Sequence, residues 1–307
     1  MANVAFRLLS LLFPMFLGYV LKRARFFGPE DYRVVVKIIM NITLPCAVIQ
    51  SFANFEMHLS MLGLTLCGFL ANWGMAFLTL CLNRKREKKE RMLELLCGSG
   101  FNLGNFMLPF IQQFVGDSGV ALQTLFDMGN SMMSTGGTYV FGSSVLKLEG
   151  KKMGLSGVIK RLFHSTPLVV YMLMLILAVC QISIPEWVSV VVKPTGAANG
   201  FLSMFMIGMM FEVRFDAAYR NTAISVLAKR YGCVIILALI FYYLLPLDLQ
   251  TRQILTLCVF APVPSMAAVY TEQTKGDVGL ASFITSCSFV ISGVIIVALI
   301  FMMGLGM

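Results

Sequence analysis

Two short strings hold the most unusual backbone chemistry in this 307-residue chain. The first reads Gly98-Ser-Gly-Phe-Asn102-Leu-Gly104-Asn105-Phe-Met-Leu-Pro109, with three glycines, two asparagines and a proline within twelve residues. The second reads Phe260-Ala-Pro262-Val-Pro264-Ser265, where two prolines remove backbone donors and clash with the preceding turn. Neither string sustains an uninterrupted helix. A helix broken in this way exposes free N–H groups at the start of its second half and free carbonyls at the end of its first. Each end carries about half an elementary charge, positive and negative respectively. Free N–H ends suit a small carboxylate, so Asn102, Gly104, Asn105 and Ser265 are candidate substrate ligands. Pro109, Pro262 and Pro264 are the candidate crossover residues.

Asp127 is the one acid read as lying deep within an apolar stretch. With Asn130, Ser131, Ser134, Thr135 and Thr138 it forms a polar strip at helical spacing. Two readings stay open: a proton- or cation-coupling carboxylate, or a structural one that caps the freed amides of a broken helix. Asn130 joins the candidate ligands. Asn41, in Asn41-Ile-Thr-Leu-Pro45, is either a further ligand or part of a locally satisfied kink. Gly200 and Gly208 suit close helix packing.

The eight cysteines show no CxxC spacing and are expected to be free packing residues. The two histidines, His58 and His164, are read near opposite membrane faces, so no metal site is expected. No phosphate-binding loop is found. Catalysis, a cofactor and nucleic-acid binding are therefore not expected.

The elements that must position these residues follow from composition. The chain is 58% hydrophobic and 13% charged, with a mean hydropathy of +0.82. Soluble domains run at about 45–50% apolar and about 25% charged, which makes this an all-α membrane protein. A crossing helix needs about 20 apolar residues. Ten such blocks fall at roughly 3–21, 33–53, 57–82, 92–114, 118–142, 167–183, 195–213, 222–246, 253–271 and 278–304. With the N-terminus outside, all of the 24 basic residues except Arg7, Lys193 and Arg252 fall on inside connections. Lys229 and Arg230 are counted among those connections, and no basic residue is placed at the centre of a span. Both termini are thus expected on the extracytoplasmic side of the cell membrane. The first span is expected to be retained, because its basic cluster follows the apolar stretch.

Asn102 lies eleven residues past Arg91, and Pro262 lies ten past Arg252. At about 1.5 Å per residue, both breaks fall roughly 15–16 Å deep, near the middle of a hydrocarbon core about 30 Å thick. They sit in the fourth and ninth spans. Residues 1–142 then form a first five-helix repeat, 143–166 a basic cytoplasmic connection with an interfacial amphipathic helix, and 167–307 a second repeat. Five spans per half is an odd number, so the halves would be inverted.

At the broken spans the sequence resembles the auxin efflux carrier family, which includes plant carriers and bacterial permeases of one fold. The residues that carry the resemblance are Asn41-Ile-Thr-Leu-Pro45, Asn102 seven residues before Pro109, Phe126-Asp-Met-Gly-Asn130 and Ala261-Pro-Val-Pro264. The resemblance implies two inverted repeats crossing at spans four and nine. It also implies a scaffold of spans 1, 2, 6 and 7, against which spans 3–5 and 8–10 move as an elevator. By position, Asn102 matches a substrate-contacting asparagine of the plant members, while Pro109 and Pro262 match crossover prolines. The compact form is similar to bacterial members, some associated with malate or malonate. The expected activity is secondary transport of a small organic anion, a mono- or dicarboxylate. A proton or sodium ion is the expected coupling partner, membrane lipid surrounds the chain, and a homodimer is an admissible assembly. An anion channel and a ligand-binding sensor are the alternatives.

Overall fold

The computed structural model describes all residues except 1, 29, 54, 57, 149–154, 212–216 and 306–307, so part of the expected 143–166 connection lies outside the described residues. The described residues are helical, with no strand among them. The first half of the chain contains α1 (Ala2–Arg23), α2 (Tyr32–Ile38), α3 (Leu44–Phe52), α4 (Leu62–Leu82), α5 (Lys88–Gly98), α6 (Leu108–Phe114), α7 (Asp117–Met132) and α8 (Thr138–Leu146). After them come α9 (Leu155–Phe163), α10 (Thr166–Val179), α11 (Glu186–Met210), α12 (Ala217–Tyr243), α13 (Leu249–Val259), α14 (Met266–Gln273) and α15 (Val278–Met302).

Among the described residues, five rods are long and apolar enough to cross a membrane: Tyr32–Phe52, Leu62–Leu82, Glu186–Met210, Ala218–Tyr243 and Val278–Met302. The fourth and ninth apolar blocks are each split in two, as α5 with α6 and α13 with α14. α10 ends at Val179, four residues before the expected boundary at 183. α11 starts at Glu186, nine before the expected 195, because Pro194 is accommodated inside the helix. Lys193 therefore belongs to a helix and not to a connection.

Three wide π-helical turns interrupt the first half, at Ile39–Thr43, Leu103–Met107 and Met133–Gly137. Turns of this kind occur mostly at functional sites, because the extra residue turns side chains out of the regular stripe. All three border the same cavity, described below.

Tight crossings pair the rods. On α1 and α11, a Cβ added to Gly208 would lie 1.9 Å from the Met15 carbonyl oxygen. On α4 and α7, one added to Gly129 would lie 1.9 Å from that of Thr65. Gly208 thus serves the packing role expected of it. Gly200 does not, since its Cβ position meets open space. Contacts gather the helices into two groups. α1, α2–α3, α10 and α11 pack together, as do α4 to α8 with α12 to α15; α3, α10 and α11 meet α6 and α7 across the boundary.

Candidate functional site: the meeting of two broken helices

The two interruptions touch. The backbone N–H of Asn102 donates to the Pro262 carbonyl at 3.0 Å, and its side-chain amide donates to the Ser265 hydroxyl at 3.1 Å. Gly100 makes the turn with φ +73°, where a Cβ would also lie 2.7 Å from Pro264 Cγ. Both constraints demand glycine.

Freed peptide groups buried at this depth need partners. Asn130 supplies two of them at the first break: its carboxamide oxygen accepts from the Phe101 N–H at 3.1 Å, and its amide donates to the Phe101 carbonyl at 2.9 Å. The same side chain donates to Asp127 Oδ1 at 2.9 Å and accepts from Asn72 Nδ2 at 2.9 Å. At the second break the Ser288 hydroxyl accepts from the Val263 N–H at 3.1 Å. The amide-capping role allowed for Asp127 therefore belongs to Asn130. Asp127 accepts only from side chains: Asn130, Ser131 at 3.2 Å and Tyr171 at 3.2 Å.

The carbonyl ends have a partner that the sequence reading misplaced. Arg230 stands midway along α12 and is 1% exposed. It donates to the carbonyls of Cys97 at 3.4 Å and Gly100 at 2.8 Å, and across to that of Ala261 at 3.0 Å. Its guanidinium carbon also stands 5.6 Å from the centre of the Phe101 ring. Arg230 is thus a basic residue deep in a span, contrary to its assignment to an inside connection. The neighbouring Lys229 pairs with the buried Glu94 at 2.8 Å and with Asn83, which makes Glu94 a second buried acid besides Asp127. Glu94 falls at the edge of its apolar block, whereas Lys229 and Arg230 form a basic pair that reads as the end of a connection.

A cavity of about 120 Å³ opens beside the breaks. Asn102, Gly104, Asn105, Asp127, Asn130 and Ser265 line it, so the structure brings together six of the expected residues. Pro264 also borders it. Gly104 keeps space open, since a Cβ there would lie 3.1 Å from Leu44 Cδ2 and 3.8 Å from Asp127 Oδ2. Asn105 Oδ1 is buried without a hydrogen-bond partner. Asn130 has already committed both its amide and its oxygen, which casts it as a clamp.

Three expected residues stand elsewhere. Asn41 donates to the Lys37 carbonyl at 2.9 Å and accepts from Thr166 Oγ1 at 2.7 Å, on an exposed face. Pro109 is buried near the start of α6, behind the cavity wall. Pro262 contributes its carbonyl to the Asn102 contact. Besides Arg230, the sequence reading missed Asn72 and Tyr171. Asn72 was detectable as an amide inside an apolar block, whereas Tyr171 reads as ordinary apolar surface until Asp127 is placed opposite it.

A family model described as "Membrane transport protein" matches residues 4–152. It describes a transporter family and not an enzyme family. No curated protein matches the chain.

Proposed function

From a chain whose residues 4–152 belong to the membrane transport protein family, we propose a secondary transporter for a small organic anion, a mono- or dicarboxylate of the size of malate. One observation carries this reading: two interrupted helices joined at their breaks, with the starts of both second halves on a polar cavity. A helix start leaves its first N–H groups without intrahelical partners. Here those groups belong to Gly104 and Asn105 on one rod and to Ser265 and Met266 on the other, all four residues bordering the cavity. Asn102 and Asn105 add side-chain donors and Ser265 a hydroxyl. A carboxylate there gains charge-assisted hydrogen bonds away from bulk water.

The ten apolar blocks form two inverted repeats in this proposal, and mirrored contacts support it. α1 packs on α11 as α10 packs on α3; α4 packs on α7 as α12 packs on α15; and α6 packs on α7 as α14 packs on α15. The cavity lies on the boundary between the two helix groups. Met40, Leu44 and Tyr171 come from one group, and the two breaks and Asp127 from the other. That placement supports an elevator in which α4 to α8 and α12 to α15 carry the anion past α1 to α3, α10 and α11. Asp127 bridges the boundary through Tyr171, and its three donors are all neutral groups. A buried carboxylate without a cationic partner is costly, which favours a proton or sodium ion binding there as the coupling ion. The cell membrane is the proposed location, with both termini outside.

Counterflow in proteoliposomes tests the reading. Labelled mono- and dicarboxylates, with membrane potential and pH gradient set separately, should show saturable exchange. Flux that rises linearly with concentration and shows no exchange would favour a channel instead.

A further inference from the structure

We infer that Arg230 is the specificity-determining residue that makes the cavity accept a single negative charge, a monocarboxylate in preference to a dicarboxylate. This inference rests on the anion-transport reading above and narrows it.

Each broken rod brings two opposite half-charges to the crossover. Left alone, the two carbonyl ends would largely cancel the two N–H ends, and the cavity would have no net preference for sign. Arg230 removes that cancellation. Its guanidinium reaches the Cys97 carbonyl in the last turn of α5 and the carbonyls of Gly100 and Ala261, each two residues beyond the end of its first half. It does not border the cavity, so it acts through the helix ends and is a positioning residue. The uncancelled N–H ends of the two second halves then amount to about one positive charge. That matches one carboxylate.

The opposite wall decides against a second. Asp127 is an acid on the cavity wall, and Asn105, which also lines the cavity, keeps its Oδ1 buried behind that wall without a partner. A second carboxylate would face the like charge of Asp127, and Asn130, Ser131 and Tyr171 already donate to Asp127. Among the described residues, no Lys or Arg side chain borders the cavity to hold it.

The test compares lactate, malonate and the uncharged lactamide, three probes of similar size, in counterflow with the purified full chain in proteoliposomes at neutral pH. The unaltered protein should prefer lactate to each of the others by at least about tenfold. Arg230→Gln should lower the lactate-to-lactamide ratio by about tenfold or more. Arg230→Lys keeps the charge but loses the fork, and should hold that ratio within about threefold while running more slowly. A merely structural arginine would change rate or folding but not the ratio between a charged probe and its neutral analogue. The inference is overturned if folded R230Q keeps the ratio, if R230K loses as much of it as R230Q, or if the unaltered protein prefers malonate. Should R230Q fail to fold, R230K alone decides by whether the ratio holds. Lactate transport with an unchanged ratio sinks this inference alone; exchange of none of a wider carboxylate panel sinks the transporter reading with it.

Discussion

The two interruptions perform the same topological task with different materials. The one at 99–102 combines a left-handed glycine, a clamping asparagine from α7 and a wide helical turn that sets Gly104 and Asn105 on the cavity. The one at 260–265 relies on two prolines and a single serine bond from α15, and offers the cavity little beyond Ser265 and its backbone. Proline breaks a helix by what it lacks and needs few partners. A glycine–asparagine break leaves every freed peptide group to be satisfied by other side chains, and that web also brings Asp127 to the cavity. In the proposed transporter, recognition is therefore concentrated in the first half of the chain and support in the second.

The sharpest way to break this contrast is to remove each clamp. Asn130→Ala deletes bonds to both Phe101 peptide groups, to Asp127 and to Asn72, and should cost about 3–5 kcal/mol of stability. Ser288→Ala removes the single bond to Val263 N–H and should cost about 1–2 kcal/mol. Melting in detergent should rank them in that order, and equal costs would refute the asymmetry. Gly100→Ala meets an unfavourable φ and the Pro264 ring together, for an expected loss of about 2–3 kcal/mol by the same measurement.

Asn102→Ala should weaken carboxylate binding by about tenfold, and Ser265→Ala by about threefold, because of these two side chains the first is an amide with two N–H donors and the second a single hydroxyl. Binding isotherms on folded protein would check both, and equal effects would place recognition on both breaks alike.

The smallest effect concerns how the two broken rods begin. Asp248 caps α13: one carboxylate oxygen accepts from Thr251 N–H at 2.9 Å and the other from its hydroxyl at 2.7 Å. Partial burial pushes this carboxyl up, but the Thr251 bonds and nearby Arg252 outweigh it and hold it below the usual carboxylate range. A depressed folded pKa means that the stabilisation is present above about pH 4, the unfolded value, and is lost as pH falls through the folded one. Asp248→Asn should flatten that acid limb by under about 1 kcal/mol. Glu87, at the start of α5, makes no side-chain cap, so the two broken rods begin differently.

Much of this architecture was legible from local chemistry. The positions of both breaks follow from Gly98–Pro109 and Pro262–Pro264, and of the polar strip from Asp127 to Thr138 all but Thr138 border the cavity. Asn41 misled because an amide before a proline looks the same whether it faces a cavity or ties Lys37 to Thr166. Arg230 misled because a basic pair eight residues into an apolar block resembles the end of a connection.

Composition and the placement of glycine and proline determined on their own that the chain is helical, apolar and interrupted twice. Those features act through the backbone of a few consecutive residues and need no distant partner. Which carbonyls Arg230 serves, that Asn130 clamps Phe101, and that Tyr171 meets Asp127 were decided only by the tertiary structure. Each of those bonds joins residues between 29 and 133 positions apart, and which pairs come within hydrogen-bond distance of one another is settled by how whole helices pack.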